Sequence, residues 1–361
     1  MIEKLLRLVV ENGASDLHVA TGEPPILRVK GTLVRTDFAA LTKDQVKTLV
    51  YSFLTKQQQE VLESSHELDL AYGVPGLGRF RINVYKDRLG YSAALRIITE
   101  KIPTLEQLNL PATTKDIAQF PRGLVLVTGP TGSGKSTTLA AIIDWINTHR
   151  AEHILTIEDP IEFVHKSKKS LINQREVGTD THSFNAALRS ALREDPDVIL
   201  IGEMRDLETI SLAVTAAETG HLVFGTLHTS SAATTIDRLI DVFPPEQQTQ
   251  IRIQISGSLK AVLSQTLLPT KDGTGRCMAM EIMTVTPAIS NLIREGKTSQ
   301  IYSSIQTGRK EGMQTLESAL ADLYKQGKAR IEDILSKSSK PDQLRNLLGS
   351  DVVTPELLET I

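Results

Sequence analysis

The run Gly129-Pro130-Thr131-Gly132-Ser133-Gly134-Lys135-Ser136 fits the phosphate-binding pattern G-x-x-x-x-G-K-[ST]. Gly129, Gly132 and Gly134 relieve the steric bar on unusual φ angles, so successive backbone N–H groups can turn inward around an anion. Lys135 is placed to reach the β and γ phosphates of a nucleoside triphosphate such as ATP. The Ser136 hydroxyl is placed to ligand Mg2+, and Thr137 adds a second hydroxyl. The context is the one the motif needs. An aliphatic run at 124–127 reads as a strand before it, and 136–148 reads as a helix after it.

A phosphate loop needs acidic groups opposite it, and two strand tips supply them. Residues 198–201 end in Gly202-Glu203. Residues 154–157 end in Glu158-Asp159-Pro160, where the proline stops strand pairing. In open α/β sheets such groups collect past the carboxyl ends of the strands, on the edge that carries the loop. One carboxylate can orient Mg2+ and its water, and the other can take the proton of an attacking water. On residue type alone the two roles are interchangeable. A third run, 222–224, is preceded by His221 and followed by Thr226, His228 and Thr229. These side chains are expected near the same edge, either to sense a γ-phosphate or as satisfied buried histidines. Two histidines without a cysteine cluster do not make a zinc site.

The elements that must position these groups follow from the hydrophobic pattern. Short apolar runs at 124–127, 154–157, 198–201 and 222–224 alternate with helical stretches at 136–148, 183–192 and 207–218. This is the rhythm of a doubly wound α/β core around a largely parallel sheet. Beyond Ser230 the chain reads as mostly helical, through 236–242, 247–267, 287–295, 315–326 and 331–335, with a turn near 272–275. Residues 1–100 read as a separate α+β domain. Ile2, Leu5, Leu6, Val9 and Val10 fall at helical spacing, and β-like runs follow at 16–20 and 26–34. A helix capped by Thr42 runs through Val46, Leu49, Val50, Phe53 and Leu54, and further strands are expected near 68–72, 79–85 and 91–98. The segment 101–122, with Pro103, Pro111 and Pro121, reads as a linker holding a short helix or two. The expected order is a domain at 1–100, a linker at 101–122 and a phosphate-loop domain at 123–361 whose last part, from about 230, is helical.

Composition narrows the function. The 361 residues carry a net charge of -3 and 4% aromatic residues, so neither a basic field nor stacking aromatics invite nucleic acid. The single cysteine, Cys277, permits neither an intrachain disulfide nor a four-cysteine zinc module. No run of about eighteen apolar residues predicts a transmembrane helix. Glu3, Lys4, Arg7 and Glu11 in the first helix argue against a signal peptide.

Four long segments, in order, carry a resemblance. Gly129 to Thr137, ILTIEDPIEF at 154–163, LREDPDVILIGEMRD at 192–206 and GHLVFGTLHT at 220–229 resemble the Walker A, aspartate, Walker B and histidine boxes of the secretion ATPase superfamily. That superfamily drives type II secretion and type IV pili, and the match is closest to PilT-type pilus retraction ATPases. ASDLH at 14–18 and GRFRINVY at 78–85 extend the resemblance over nearly the whole chain. It implies a PAS-like domain joined to a RecA-like ATPase. It further implies a homo-hexamer, cytoplasmic and peripheral at the inner face of the membrane, which hydrolyses ATP with Mg2+ and acts on a PilC-like platform protein. Within the family the aspartate-box Glu158 is the favoured general base, and the Walker B Glu203 is tied to Mg2+ and water.

The resemblance also implies arginine fingers from the N-terminal domain. In Arg79-Phe80-Arg81-Ile82-Asn83-Val84 the period of two puts both guanidiniums on one polar face, suited to triphosphate oxygens. Arg96 on the next strand is a third candidate. The family's retraction motif AIRNLIRE reads AISNLIRE at 288–295, with Ser290 in place of Arg. Two other readings compete with the retraction motor: an accessory PilU-like or assembly ATPase, and a nucleotide-binding adaptor that does not hydrolyse. Glu158 and Glu203 argue against the adaptor.

Overall fold

A computed structural model describes residues 1–29, 31–98, 101–349 and 351–354. The chain divides into two compact units. The first holds Met1–Lys101 with Glu162–Val164, and the second holds the rest from Ile102.

The first unit begins with the helix Ile2–Glu11, which buries Ile2, Leu5, Leu6 and Val9 and leaves Val10 exposed. Six antiparallel strands follow, β1 (Ala14–Val19), β2 (Ile26–Val29), β3 (Thr32–Arg35), β4 (Glu67–Val74), β5 (Gly78–Lys86) and β6 (Tyr91–Ile98). They are arranged β3-β2-β1-β6-β5-β4. The β-like run expected at 26–34 is therefore a hairpin. The Thr42-capped helix ends at Tyr51, and a second capping box, Thr55 with Gln58, starts another helix at Lys56. On β5, Phe80, Ile82 and Val84 are fully buried, which leaves the polar face to Arg79, Arg81 and Asn83.

The second unit is built on β7 (Gly123–Thr128), β8 (His153–Glu158), β9 (Leu171–Glu176), β10 (Val198–Ile201), β11 (Leu222–Leu227), β12 (Leu259–Pro269) and β13 (Arg276–Thr284). Their order is β13-β12-β7-β11-β10-β8-β9, and every adjacent pair except β12 with β13 is parallel. Alternate residues of the central strands feed two cores. Leu124, Leu126, Ile199, Ile201 and Val223 pack with the helices Phe184–Ala191 and Leu207–Glu218. Val125, Val127, Leu200 and Phe224 pack with the helix Lys135–His149. Each such side chain contributes about 1.5–3 kcal/mol of hydrophobic stabilisation, which makes this sheet a firm platform for the loops at its edge.

Two expectations are corrected, and one strand appears that the pattern did not announce. The region from about 230 is not uniformly helical. The stretch 247–267 splits into the helix Pro245–Ser258 and β12, which pairs with β7 and with β13. The run through Ala261, Val262, Leu263 and Leu268 is buried between β7 and β13, so it lacks the alternation that marks a half-exposed strand. Helices do follow, from Pro287–Arg294 to Pro341–Leu348. Residues 102–122 are not a free tether either, because Leu105, Ile117 and Ala118 join the core around Val125 and Val127. Finally, β9 has the polar sequence LINQRE of an edge strand and no apolar run to announce it.

Candidate nucleotide site

The loop from Gly129 to Gly134 leaves the carboxyl end of β7 and opens onto the helix Lys135–His149. Gly129 has φ +140°, and a Cβ there would come within 2.2 Å of the Gln265 backbone oxygen and 2.6 Å of Ser133 Oγ. Only glycine fits that cradle. Pro130, Thr131 and Gly132 form the exposed crest, and Ser133 is buried beneath it. Gly134, at φ +89°, is the N-cap of the helix, so the unpaired N–H groups of the first turn face out of the loop. Lys135 Nζ donates to the carbonyl oxygens of Gly129 (2.8 Å) and Pro130 (3.1 Å), which folds the ammonium over the loop. Ser136 and Thr137, both half-buried, follow on the first turn.

Both predicted carboxylates sit on this edge. Gly225 on β11 aligns with Leu126 on one side and with Ile201 on the other, and Ile201 aligns with Ile157. Glu158 and Glu203 thus stand one and two residues past that level, beside the last residues of β7. At about 4.8 Å per strand they lie about 14 Å and 10 Å across the sheet from β7.

Their surroundings differ. Glu158 Oε1 accepts from Thr156 Oγ1 (2.7 Å) and Gln174 Nε2 (3.1 Å), two residues paired across β8 and β9. The chain beyond it, which includes the cis Asp159–Pro160 bond, is tied down where Ile161 N donates to the buried Glu176 (3.1 Å). Glu203 instead pairs with Arg205, and His228 Nε2 lies 2.9 Å from its Oε1. Burial works against the Glu203 charge, but the Arg205 guanidinium, with His228 behind it, outweighs burial and holds the carboxyl below its ordinary range. Thr226 Oγ1 donates to the Gly202 carbonyl and so joins β11 to the Glu203 turn.

His221 is a correction. It precedes β11 at the amino end of the strand, where Gly123 N donates to its carbonyl oxygen (2.9 Å). Six strand residues, about 20 Å at 3.3 Å each, separate it from the loop edge. Its Nδ1 lies 2.9 Å from the Ala216 oxygen and 3.3 Å from Thr219 Oγ1, so it fastens the end of the helix Leu207–Glu218. Only His228, on the far side of β11, meets the site.

The three candidate arginines lie in the first unit. Arg81 and Arg96 face each other across β5 and β6, and Asp16 is the next residue in the same row, on β1. Arg96 Nε donates to Asp16 Oδ1 (2.7 Å), and Arg28 approaches the other oxygen at 3.8 Å. Burial works against the Asp16 charge, yet the Ser15 hydroxyl and Arg96 hold its carboxyl low. Arg81 is exposed and Arg79 half-buried. In the segment 288–295, Ile289 and Ile293 are fully buried and Ser290 Oγ donates to the Ser256 oxygen at 2.7 Å, which ties this helix to Pro245–Ser258.

Sequence reasoning missed Thr156, Gln174, Arg205 and Gln265. Arg205 and Thr156 lie two residues from the carboxylates they serve and were open to inspection. Gln174 and Gln265 sit on strands whose existence the pattern concealed.

A cavity of about 970 Å3 opens beside the loop, lined by Asn109, Gly134, Thr137, Gln265, Cys277 and Met280 among others. That is room for a nucleoside. The set of residues also suits magnesium, which needs few protein ligands and keeps water and phosphate oxygens for the rest. Among the described residues no cluster of three or more His, Cys, Asp or Glu forms a metal cage. Ser136 and Glu203 both lie on this edge of the sheet.

Residues 1–341 match the family described as type II/IV secretion system protein. The chain is 54% identical over 341 residues to the type IV pilus retraction ATPase PilT of Pseudomonas aeruginosa, covering 94% of this chain and 99% of that one. It is 42% identical to the type IV pilus ATPase PilU of the same organism, over 97% of this chain and 92% of that one. Among solved structures, the pilus retraction motor PilT with bound ADP superposes with a TM-score of 0.91 at 49% identity, covering 96% of this chain and 99% of that one. The ATPase DotB of Legionella pneumophila superposes at 0.77 with 30% identity, over 92% and 94% of the two chains. A phosphate loop facing two acidic strand tips, in a chain this similar to PilT along its whole length, places the protein in the type II/IV secretion system family as a PilT-type ATPase.

Proposed function

We propose that the protein is a pilus retraction motor. It hydrolyses ATP with magnesium as a homo-hexamer at the cytoplasmic face of the inner membrane and acts on a PilC-like platform protein. The observation that carries this reading is the convergence of Lys135, Glu158 and Glu203 on one sheet edge, in a chain 54% identical to PilT and only 42% identical to PilU.

The loop N–H groups and Lys135 bind the phosphates and take up the charge that spreads over the γ-phosphoryl oxygens. When bound, magnesium would be held by Ser136 Oγ and the Glu203 side and would neutralise β and γ phosphate charge. Glu158, fixed by Thr156 and Gln174, takes the proton from water as its oxygen bonds to the γ-phosphorus and the bond to the β–γ bridging oxygen breaks. His228 and Arg205 hold Glu203 ionised beside it. Arg79, Arg81 and Arg96 are proposed as arginine fingers, and Asp16 holds the Arg96 guanidinium.

The test pairs turnover with motility. Lys135→Ala is expected to reduce ATPase to background. Cells carrying it as their sole copy should be hyperpiliated and unable to twitch, like a deletion strain, and wild-type protein should restore them. Bald cells instead of hyperpiliated ones would assign the motor to pilus extension.

A further inference from the structure

The phosphate loop is held from below by a strand that the family boxes do not include. On β12, Ser264 pairs with Thr128, the last residue of β7, and their hydroxyls share a buried hydrogen bond of 2.8 Å. Gln265 comes next and is 3% exposed. Its backbone oxygen fills the space where a Gly129 side chain would go. Its side-chain Nε2 reaches up and donates to the Ser133 carbonyl at 2.7 Å. A Cβ on Gly134 would lie 3.3 Å from the same nitrogen, so the amide sits flat under the Ser133–Gly134 peptide.

That contact has a directional consequence. In a trans peptide the C=O and N–H point to opposite sides. With the Ser133 carbonyl fixed on the β12 side, the Gly134 N–H is turned away from β12, at the mouth of the helix where an anion binds. An apolar side chain would fill the same space but would not fix the Ser133 carbonyl. Here the amide is kept at a cost, because Gln265 Oε1 is buried with no partner among the described residues, as is Ser133 Oγ. The donor end is the part in use.

We propose that Gln265 is a positioning residue for the nucleotide: its amide sets the Ser133–Gly134 peptide so that the Gly134 N–H faces the phosphates. This rests on the ATPase reading of the loop and not on pilus retraction. Gln265 also lines the cavity beside the loop, so β12 joins the phosphate cradle to the nucleoside space.

The experiment uses full-length protein, a fluorescent ADP analogue and melting curves without nucleotide. Gln265→Met removes the donor and the unpaired acceptor together. Gln265→Glu keeps the shape but, when ionised, offers no donor. Both variants are expected to bind ADP about tenfold more weakly, the effect of one lost hydrogen bond in a buried site. In Gln265→Met the loss of the unpaired Oε1 offsets the Ser133 carbonyl left without its donor, so the unliganded melting temperature should stay close to that of wild type. In Gln265→Glu, the introduced carboxyl donates as the amide does once it is protonated, and burial raises its pKa. The affinity of Gln265→Glu relative to wild type should therefore recover from about pH 8 to about pH 6, while that of Gln265→Met relative to wild type stays flat. Lys271, Asp272, Arg276, Cys277, Asp322 and Lys328 border the same space in every variant, so their own titration cancels in these ratios. ADP binding by Gln265→Met within twofold of wild type would overturn the proposal. So would a loss of affinity that merely follows a fall in unliganded melting temperature. Wild-type protein that bound no ADP, with Lys135→Ala no different, would instead sink the ATPase reading beneath it.

Discussion

The tips of β8 and β10 present the same side chain on the same sheet edge and hold it in opposite ways. Glu158 is gripped by neutral donors, Thr156 and Gln174, one from its own strand and one from the edge strand beside it. Glu203 is gripped by Arg205 and His228, two residues after it and at the end of β11. The two neutral donors fix the direction in which the Glu158 carboxylate faces. A guanidinium holds its partner ionised and lowers the partner's basicity. The proposed division, with Glu158 as proton acceptor and Glu203 as a fixed negative charge suited to a hydrated cation, turns on this difference in how the two are held. Sequence alone left these two roles interchangeable, and only the family resemblance had ranked them.

The largest break in this contrast is to remove each charge in turn. Glu158→Gln is expected to lower kcat by about a hundredfold or more, the usual worth of a general base, with ADP affinity unchanged. Glu203→Gln should lower kcat comparably but also raise the magnesium concentration needed for half-maximal turnover. If the magnesium dependence moved with Glu158→Gln instead, the assignment would be reversed. A smaller effect follows from loosening a grip while keeping the charge. Thr156→Val is nearly isosteric at a fully buried position and deletes the hydroxyl that fixes Glu158. A fall in kcat of about tenfold, with KM steady, is expected for one lost orienting hydrogen bond. Unchanged steady-state kinetics would mean that Thr156 does not position the base.

What could be read in the sequence follows from how local each feature is. The phosphate loop is contiguous, and Glu158 and Glu203 end short apolar runs that could only be buried strands, so all three were legible in the order of residues alone. His221 was misplaced because being adjacent to a strand does not say at which end. The rule that ligands gather at carboxyl ends applies to His228, after β11, and not to His221, before it. Gln265 and Gln174 were illegible for a different reason. Each acts across a strand pair set by tertiary packing, and each lies on a strand that the pattern hid. β12 was lost in a leucine-rich run that could equally be helical, and β9 was hidden by polar edge residues. The Asp16 that orients Arg96 stands 80 residues away, at a separation no local pattern spans.

The smallest expected effect tests the charged side of the contrast through stability. Native Glu203 has its carboxyl held below the ordinary value of 4.5, with Arg205 the strongest of the groups that lower it. A depressed folded-state pKa contributes stability above the unfolded-state value and loses it as pH falls through the folded-state value. Arg205→Ala should therefore destabilise the protein near neutral pH and stop doing so only once the pH has fallen through the folded-state pKa of Glu203, which lies below the ordinary 4.5. Because Arg205 is largely exposed and the pair is screened by solvent, the difference at pH 7 should be under about 1 kcal/mol and should shrink in high salt. Urea unfolding of both proteins at several pH values reads it directly. A difference that persisted at low pH would show that Arg205 stabilises through packing of its side chain. Glu203 would then be left with His228 as its partner, and the charge-paired half of the contrast would lose its main support.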